Sequence, residues 1–83
     1  MNFKSKYIIV SASGLEMPIV FTELLKHSDV ASNLGMTVES AGFCFIQDNK
    51  YVCYGESVSL HRKSREEEDS KILNNLLGAN DEV

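Results

Sequence analysis

The residues of this chain best equipped for chemistry lie together at "GESVSLHRKSREEED", residues 55–69, where His61, Arg62, Lys63 and Arg65 precede a run of four carboxylates. Cations just before a helix start suit an anion, because the first helical amides are unpaired, the dipole is positive there, and arginine adds a two-pronged donor to phosphate. Ser57, Ser59 and Ser64 add hydroxyls to the same segment. The carboxylates Glu66 to Asp69 also have a purely structural use, since acidic side chains favour the positive end of a helix. The other reactive groups are Cys44, Cys53, His27 and His61, and no local pattern sets a histidine beside a cysteine, as an activated thiolate would require.

No Walker loop, GxGxxG, HExxH, GxSxG or deaminase signature occurs. Two cysteines nine positions apart, without CxxC spacing or clustered histidines, form neither a disulfide scaffold nor a zinc site. The chain therefore reads as a non-enzyme with no cofactor and no metal. Its net charge of -4 argues against general nucleic-acid binding, which draws on a basic face to neutralise phosphates. The longest apolar run, "YIIVSA", is far below the ~18 residues that span a bilayer. The basic start "MNFKSK" is followed by Gly14, Glu16 and Pro18 rather than by a cleavage site, so a cytoplasmic protein is expected.

The elements that position these groups follow from pattern and length. Eighty-three residues make one domain, since a chain this short buries only about 60% of its unfolded surface. Residues 6–12 form a β-branched and aromatic strand, "SASG" a turn, and residues 17–21 the return strand, placed at a sheet edge because Pro18 lacks an N–H. Residues 22–35 carry a helical spacing of Leu24, Leu25, Ala31 and Leu34, with Thr22 as N-cap, Gly35 as C-terminal stop and a break near Ser28 and Asp29. Residues 37–47 and 50–60 read as a hairpin across Asp48-Asn49, and Ser64 with Glu67 reads as a capping box opening a last helix that ends at Gly78. Glu67 and Lys71 stand at i,i+4 spacing in that helix. The fold class is α+β, in the order β-β-α-β-β-α, an antiparallel sheet packed against two helices, ordered over residues 6–78 with a frayed tail at 79–83.

The turn at Asp48-Asn49 sets Cys44 opposite Cys53, and continued pairing sets Gly42 opposite Gly55, Ser40 opposite Ser57 and Val38 opposite Ser59. The other face carries Phe43, Phe45, Val52, Tyr54, Val58 and Leu60 and reads as the core face. Glycine in mid-strand sacrifices packing, so the strip of small residues points to close approach by another group: a helix of the same chain, a second copy, or a ligand. A bulge at Gly42 or Gly55 would undo the pairing. The ligand-binding candidates are Ser40, Gly42, Gly55, Ser57, Ser59, Arg62, Lys63, Ser64 and Arg65, with Tyr51 or Tyr54 as stacking rings.

The segments "MPIVF", "HSDVA", "SAGFCFI", "GESVSL" and the "SR" before the last helix resemble small proteins met in phage and prophage genomes, over roughly residues 6–77. No activity is attached to that family. The resemblance implies a viral accessory protein of the host cytoplasm that binds and neutralises a host component. Two readings follow: an anti-defence binder that sequesters an anionic nucleotide-like ligand, such as a second messenger, in a homo-oligomer; or an acidic module that inhibits a host protein, for example by covering a nucleic-acid-binding surface, through Glu66 to Asp69 and the acidic tail.

Overall fold

The computed structural model describes residues 4–78, so the tail expected at 79–83 lies outside the described residues. The elements are β1 (Ser5–Ala12), β2 (Leu15–Thr22), α1 (His27–Leu34), β3 (Thr37–Gln47), β4 (Lys50–Tyr54), β5 (Glu56–Ser57), β6 (Arg62–Lys63) and α2 (Glu66–Leu76). Strands β2-β1-β3-β4 form one antiparallel sheet, and β5-β6 a separate two-stranded ribbon. The α+β order is as the sequence predicts. Pro18 lies on the edge strand β2, where a missing N–H costs least.

The tight turns follow local chemistry. Ser13 and Gly14 have φ of 54° and 83°, Asp48 and Asn49 have φ of 53° and 64°, and positive φ at both central positions matches the right-handed twist of the flanking strands. The second turn fixes the register Gln47↔Lys50 and Cys44↔Cys53, as expected. Gly35 ends α1 in the left-handed conformation at φ 64°.

Both faces of the sheet are covered. Tyr7, Ile9, Cys44 and Cys53 pack with Leu73 of α2, whereas Ile8, Val10 and Ala41 pack with Val30 and Ala31 of α1. The expected core face is thus only one of two. Phe43, Phe45, Val52 and Tyr54 are half-buried, and Val58 is 74% exposed. The physical reason lies in β1, whose run Tyr7 to Val10 is buried on both sides and therefore needs a helix on each.

Three further expectations are corrected. The first helix covers only His27–Leu34, with Lys26 as N-cap; Thr22 instead closes a turn, its hydroxyl accepting from the Leu24 N–H (3.2 Å) while its carbonyl accepts from Leu25 (3.1 Å). No capping box forms, because Ser64 is hydrogen-bonded to Tyr7 and the N-cap is Arg65. The Glu67 to Lys71 pairing is not among the ion pairs of the described residues, which join Lys4 to Glu23 and Arg65 to Glu16 and Asp69.

The free edge of β4 is closed by side chains of α2. Asn74 accepts from the Tyr51 N–H (2.7 Å) and donates to the Tyr51 carbonyl (3.2 Å), and the Ser70 hydroxyl accepts from the Cys53 N–H (2.9 Å). A polar helix face thus substitutes for a neighbouring strand, which protects an edge that would otherwise template aggregation.

Candidate functional site

The segment Gly55 to Ser64 does not continue β4. Gly55 sits at φ 80°, which turns the chain away after Tyr54, so the expected pairs Gly42 with Gly55, Ser40 with Ser57 and Val38 with Ser59 do not form. Instead Glu56 pairs with Lys63 and Ser57 with Arg62, making a small ribbon closed by Leu60 N–H to Ser57 Oγ (3.2 Å) and Ser64 N–H to the Gly55 carbonyl (2.9 Å). Gly42 does mark a close approach. A Cβ there would lie 2.5 Å from the Tyr54 carbonyl oxygen and 3.2 Å from Ser64 Cβ, so the group that needs the glycine belongs to the same chain.

Departure of this ribbon from the sheet leaves a cleft of about 540 Å³. Its floor is Phe43 and Tyr54, two stacked rings 5.8 Å apart; one wall is Lys26 and His27 at the start of α1 with Lys6 of β1, and the other is Gly55 to Ser59. Lys6 Nζ donates to the Leu25 carbonyl (2.7 Å), which ties β1 to the turn before α1 and holds an ammonium at that wall. Two lysines and one carboxylate, Glu56, thus share the lining with the two rings. Such a cleft suits a ligand with a planar group and a negative charge.

His27 closes the inner end. Its ring is 4% exposed, stands edge-on between Phe21 and Phe43 at 5.6 and 5.7 Å, and its Nε2 lies 2.8 Å from the Gly42 carbonyl. Burial lowers its pKa below the ordinary histidine value, against the opposing pull of the Gly42 hydrogen bond, and the nearby Lys6 charge lowers it further.

Of the residues singled out from sequence, Gly55, Ser57 and Ser59 line this cleft. Ser57, Arg62 and Lys63 line a smaller hollow of about 210 Å³ that also includes His61. There Arg62 donates to the Val38 and His61 carbonyls, both at 3.2 Å. Ser40 and Gly42 are buried beside Ile9 and Tyr7 of β1, with Ser64 closing over Gly42, and do not line the cleft. Ser64 is bonded to Tyr7. Arg65 is held by both Glu16 oxygens (3.2 and 2.8 Å) and by Asp69 (3.0 Å), so its fork is filled by the protein's own carboxylates. Of the two tyrosines considered for stacking, Tyr54 is in the cleft and Tyr51 packs against the cysteine core.

Lys6, Lys26, His27 and Phe43 were not legible as site residues. Only the pairing of β1 with β3 sets Lys6 beside Phe43, and that contact spans 37 positions. The one sequence signal was His27, a titratable residue within the apolar pattern of a helix. Cys44 and Cys53 are buried free thiols, pushed up to about 12 and about 11 chiefly by burial, which leaves both unreactive near neutrality. Among the described residues no cluster of His, Cys, Asp and Glu could hold a metal ion, and no helix is long and apolar enough to cross a membrane.

No family model, curated protein or solved structure matches the chain.

Proposed function

We propose that the protein is a non-catalytic binder that sequesters a small anionic, nucleotide-like ligand in the cleft between α1 and the β5-β6 ribbon. The observation that carries this reading is the pairing of Lys6 and Lys26 with the Phe43/Tyr54 floor in one concave site. A planar base packs on the rings while its phosphate pairs with the ammonium groups, each interaction strengthened by partial exclusion of water. The anion site moves from Arg65, filled by Glu16 and Asp69, to the lysine wall. On this reading the phage-type accessory role is neutralisation of a nucleotide signal in the host cytoplasm, with assembly into a homo-oligomer as part of the proposal.

The test is a thermal-shift screen of the purified protein against linear and cyclic nucleotides, followed by calorimetry at two salt concentrations. Binding to the native state alone raises stability by ~2.7 kcal/mol at a hundredfold excess over Kd. A specific shift that Lys26→Ala weakens supports the reading, and no shift across the panel overturns it. A second reading is favoured by Glu66, Glu67 and Glu68, all exposed on the first turn of α2. It makes that turn the contact of an inhibitor with a basic host protein, and a salt-sensitive partner in host lysate would support it.

A further inference from the structure

Cys44 and Cys53 stand opposite each other on β3 and β4, and the hydrogen bonds of the hairpin fix how closely. The Cys53 N–H donates to Ser70 Oγ and the Tyr51 N–H to Asn74 Oδ1, so both amides point away from β3 and toward α2. Cys44 and Cys53 are therefore a non-hydrogen-bonded pair of the antiparallel ladder. In such a pair the backbones come nearest, with Cα atoms about 4.5 Å apart and the two side chains adjacent on one face. That separation lies within the span of roughly 4.4–6.8 Å that a disulfide bridges without backbone movement.

The packing places both thiols on that one face. They share a core cluster with Tyr7, Ile9 and Leu73, and neither is more than 2% exposed. Their cover is α2, which Leu73 packs onto the cluster and which Ser70 and Asn74 tie to the edge of β4. Both are free thiols, and burial keeps them too little ionised to attack while the helix is closed.

We propose that Cys44 and Cys53 form a disulfide site, closed by thiol–disulfide exchange with a small-molecule disulfide such as oxidised glutathione when α2 lifts from β4. The thiolate of one cysteine attacks a sulfur of the reagent, breaks its S–S bond and expels one reagent thiolate, leaving a mixed disulfide. The second cysteine's thiolate attacks the protein sulfur of that mixed disulfide and expels the other reagent thiolate. Two protein thiols and one reagent disulfide thus become one protein disulfide and two reagent thiols, and hydrogens and electrons balance. The bond needs no change of register, so α2 closes over it again. It then staples the edge strand β4 to β3 one residue from Phe43 and Tyr54, whatever the cleft above them binds.

The experiment treats the protein with oxidised glutathione, folded and at the urea midpoint of unfolding, where both thiols are accessible; urea is then removed. Intact mass, peptide linkage and melting temperature are read on the wild type, Cys44→Ser, Cys53→Ser and Asn74→Ala. The wild type is expected to lose two hydrogen atoms, retain no glutathione and yield a cross-link between the peptides that hold Cys44 and Cys53. Its melting temperature should rise by about 5–10 °C over that of the reduced protein and return on treatment with dithiothreitol. Each serine variant stops at a single glutathione adduct. In the folded state Asn74→Ala, whose helix is less firmly tied, should close the bond about tenfold faster than the wild type. Wild-type adducts that do not resolve into the cross-link, no cross-link even at the urea midpoint, or an oxidised protein that melts below the reduced one overturns the disulfide site. A folded-state rate unchanged in Asn74→Ala overturns the gating by α2 and leaves the site standing.

Discussion

The Tyr7 hydroxyl donates a 2.5 Å hydrogen bond to the Asp69 carboxylate across 62 positions of sequence, and neither residue exposes any surface. Because that single O–H is spent on Asp69, the Ser64 hydroxyl must be the donor in its own 2.5 Å contact with Tyr7, giving a chain from Ser64 through Tyr7 to Asp69. Asp69 also accepts from the Arg65 backbone N–H and from Arg65 Nε, both at 3.0 Å, and Arg65 in turn grips Glu16 of β2. Burial, then the bond to Asp69, raise the Tyr7 pKa far above the usual phenol value, so the phenol stays a donor.

Removing the acceptor at the centre of this network should be the most damaging polar change. Asp69→Ala leaves the Tyr7 hydroxyl, an Arg65 amide and part of a guanidinium unpaired, and breaking a buried pair costs ~3–5 kcal/mol. Urea unfolding should show a large drop or no folded state. Glu16→Gln, at the partly exposed end, is expected to cost at most ~1 kcal/mol.

Gly42→Ala should also destabilise, by ~1–3 kcal/mol as overpacking does. The added methyl meets the Tyr54 carbonyl oxygen at 2.5 Å, and backbone cannot move aside as a flexible side chain can. A melting temperature equal to that of the wild type would show that β3 and the end of β4 are not held this closely.

Asn74→Ala removes both hydrogen bonds to Tyr51 and reopens the edge of β4. Loss of ~1–2 kcal/mol is expected, together with concentration-dependent association seen by light scattering. Loss of stability without association would assign Asn74 to helix docking alone.

Stability should fall in mild acid through His27. Its folded pKa is lowered, so below the unfolded value near 6.5 the unfolded chain takes up a proton that the folded ring resists; the contribution is full above that pH and is lost as pH falls through the window. Unfolding free energies of the wild type and of His27→Gln between pH 5 and pH 8 should converge at the acid end. Parallel curves would place the acid sensitivity elsewhere.

The thiols should be silent in the native state. With Cys53 and Cys44 pushed up to about 11 and about 12, the thiolate fraction at pH 8 is at least ~100-fold below that of a free cysteine, so Ellman's reagent should react only as fast as the protein opens.

Much of the fold was legible in the sequence because it depends on near neighbours. Ser13-Gly14 and Asp48-Asn49 encode their own positive φ, Gly35 its own helix stop, and the turn alone sets Cys44 against Cys53. Ser64 was misread as a cap because its preference for a helix start is weak beside a buried hydrogen bond to Tyr7. Thr22 went to a turn for a similar reason: its local hydrogen bonds to the Leu24 and Leu25 amides compete with the helix. The candidate site was legible only in part. Gly55, Ser57 and Ser59 stand in one segment, but Gly55 reads equally well as strand or as bend, and its choice of φ 80° is what takes the chain out of the β4 ladder and opens the cleft.

The sequence by itself determined the turns, the strand alternation and the α+β order, since these arise from backbone preferences and spacing within a few residues. Tertiary structure alone decided that Arg65 faces Glu16 rather than solvent, that Gly42 is closed over by Ser64, and that Lys6, Lys26, His27 and Phe43 meet in one cleft. Those contacts join residues far apart in the chain, and their partners are chosen by burial and by competition among donors and acceptors across the whole core, which no local pattern records.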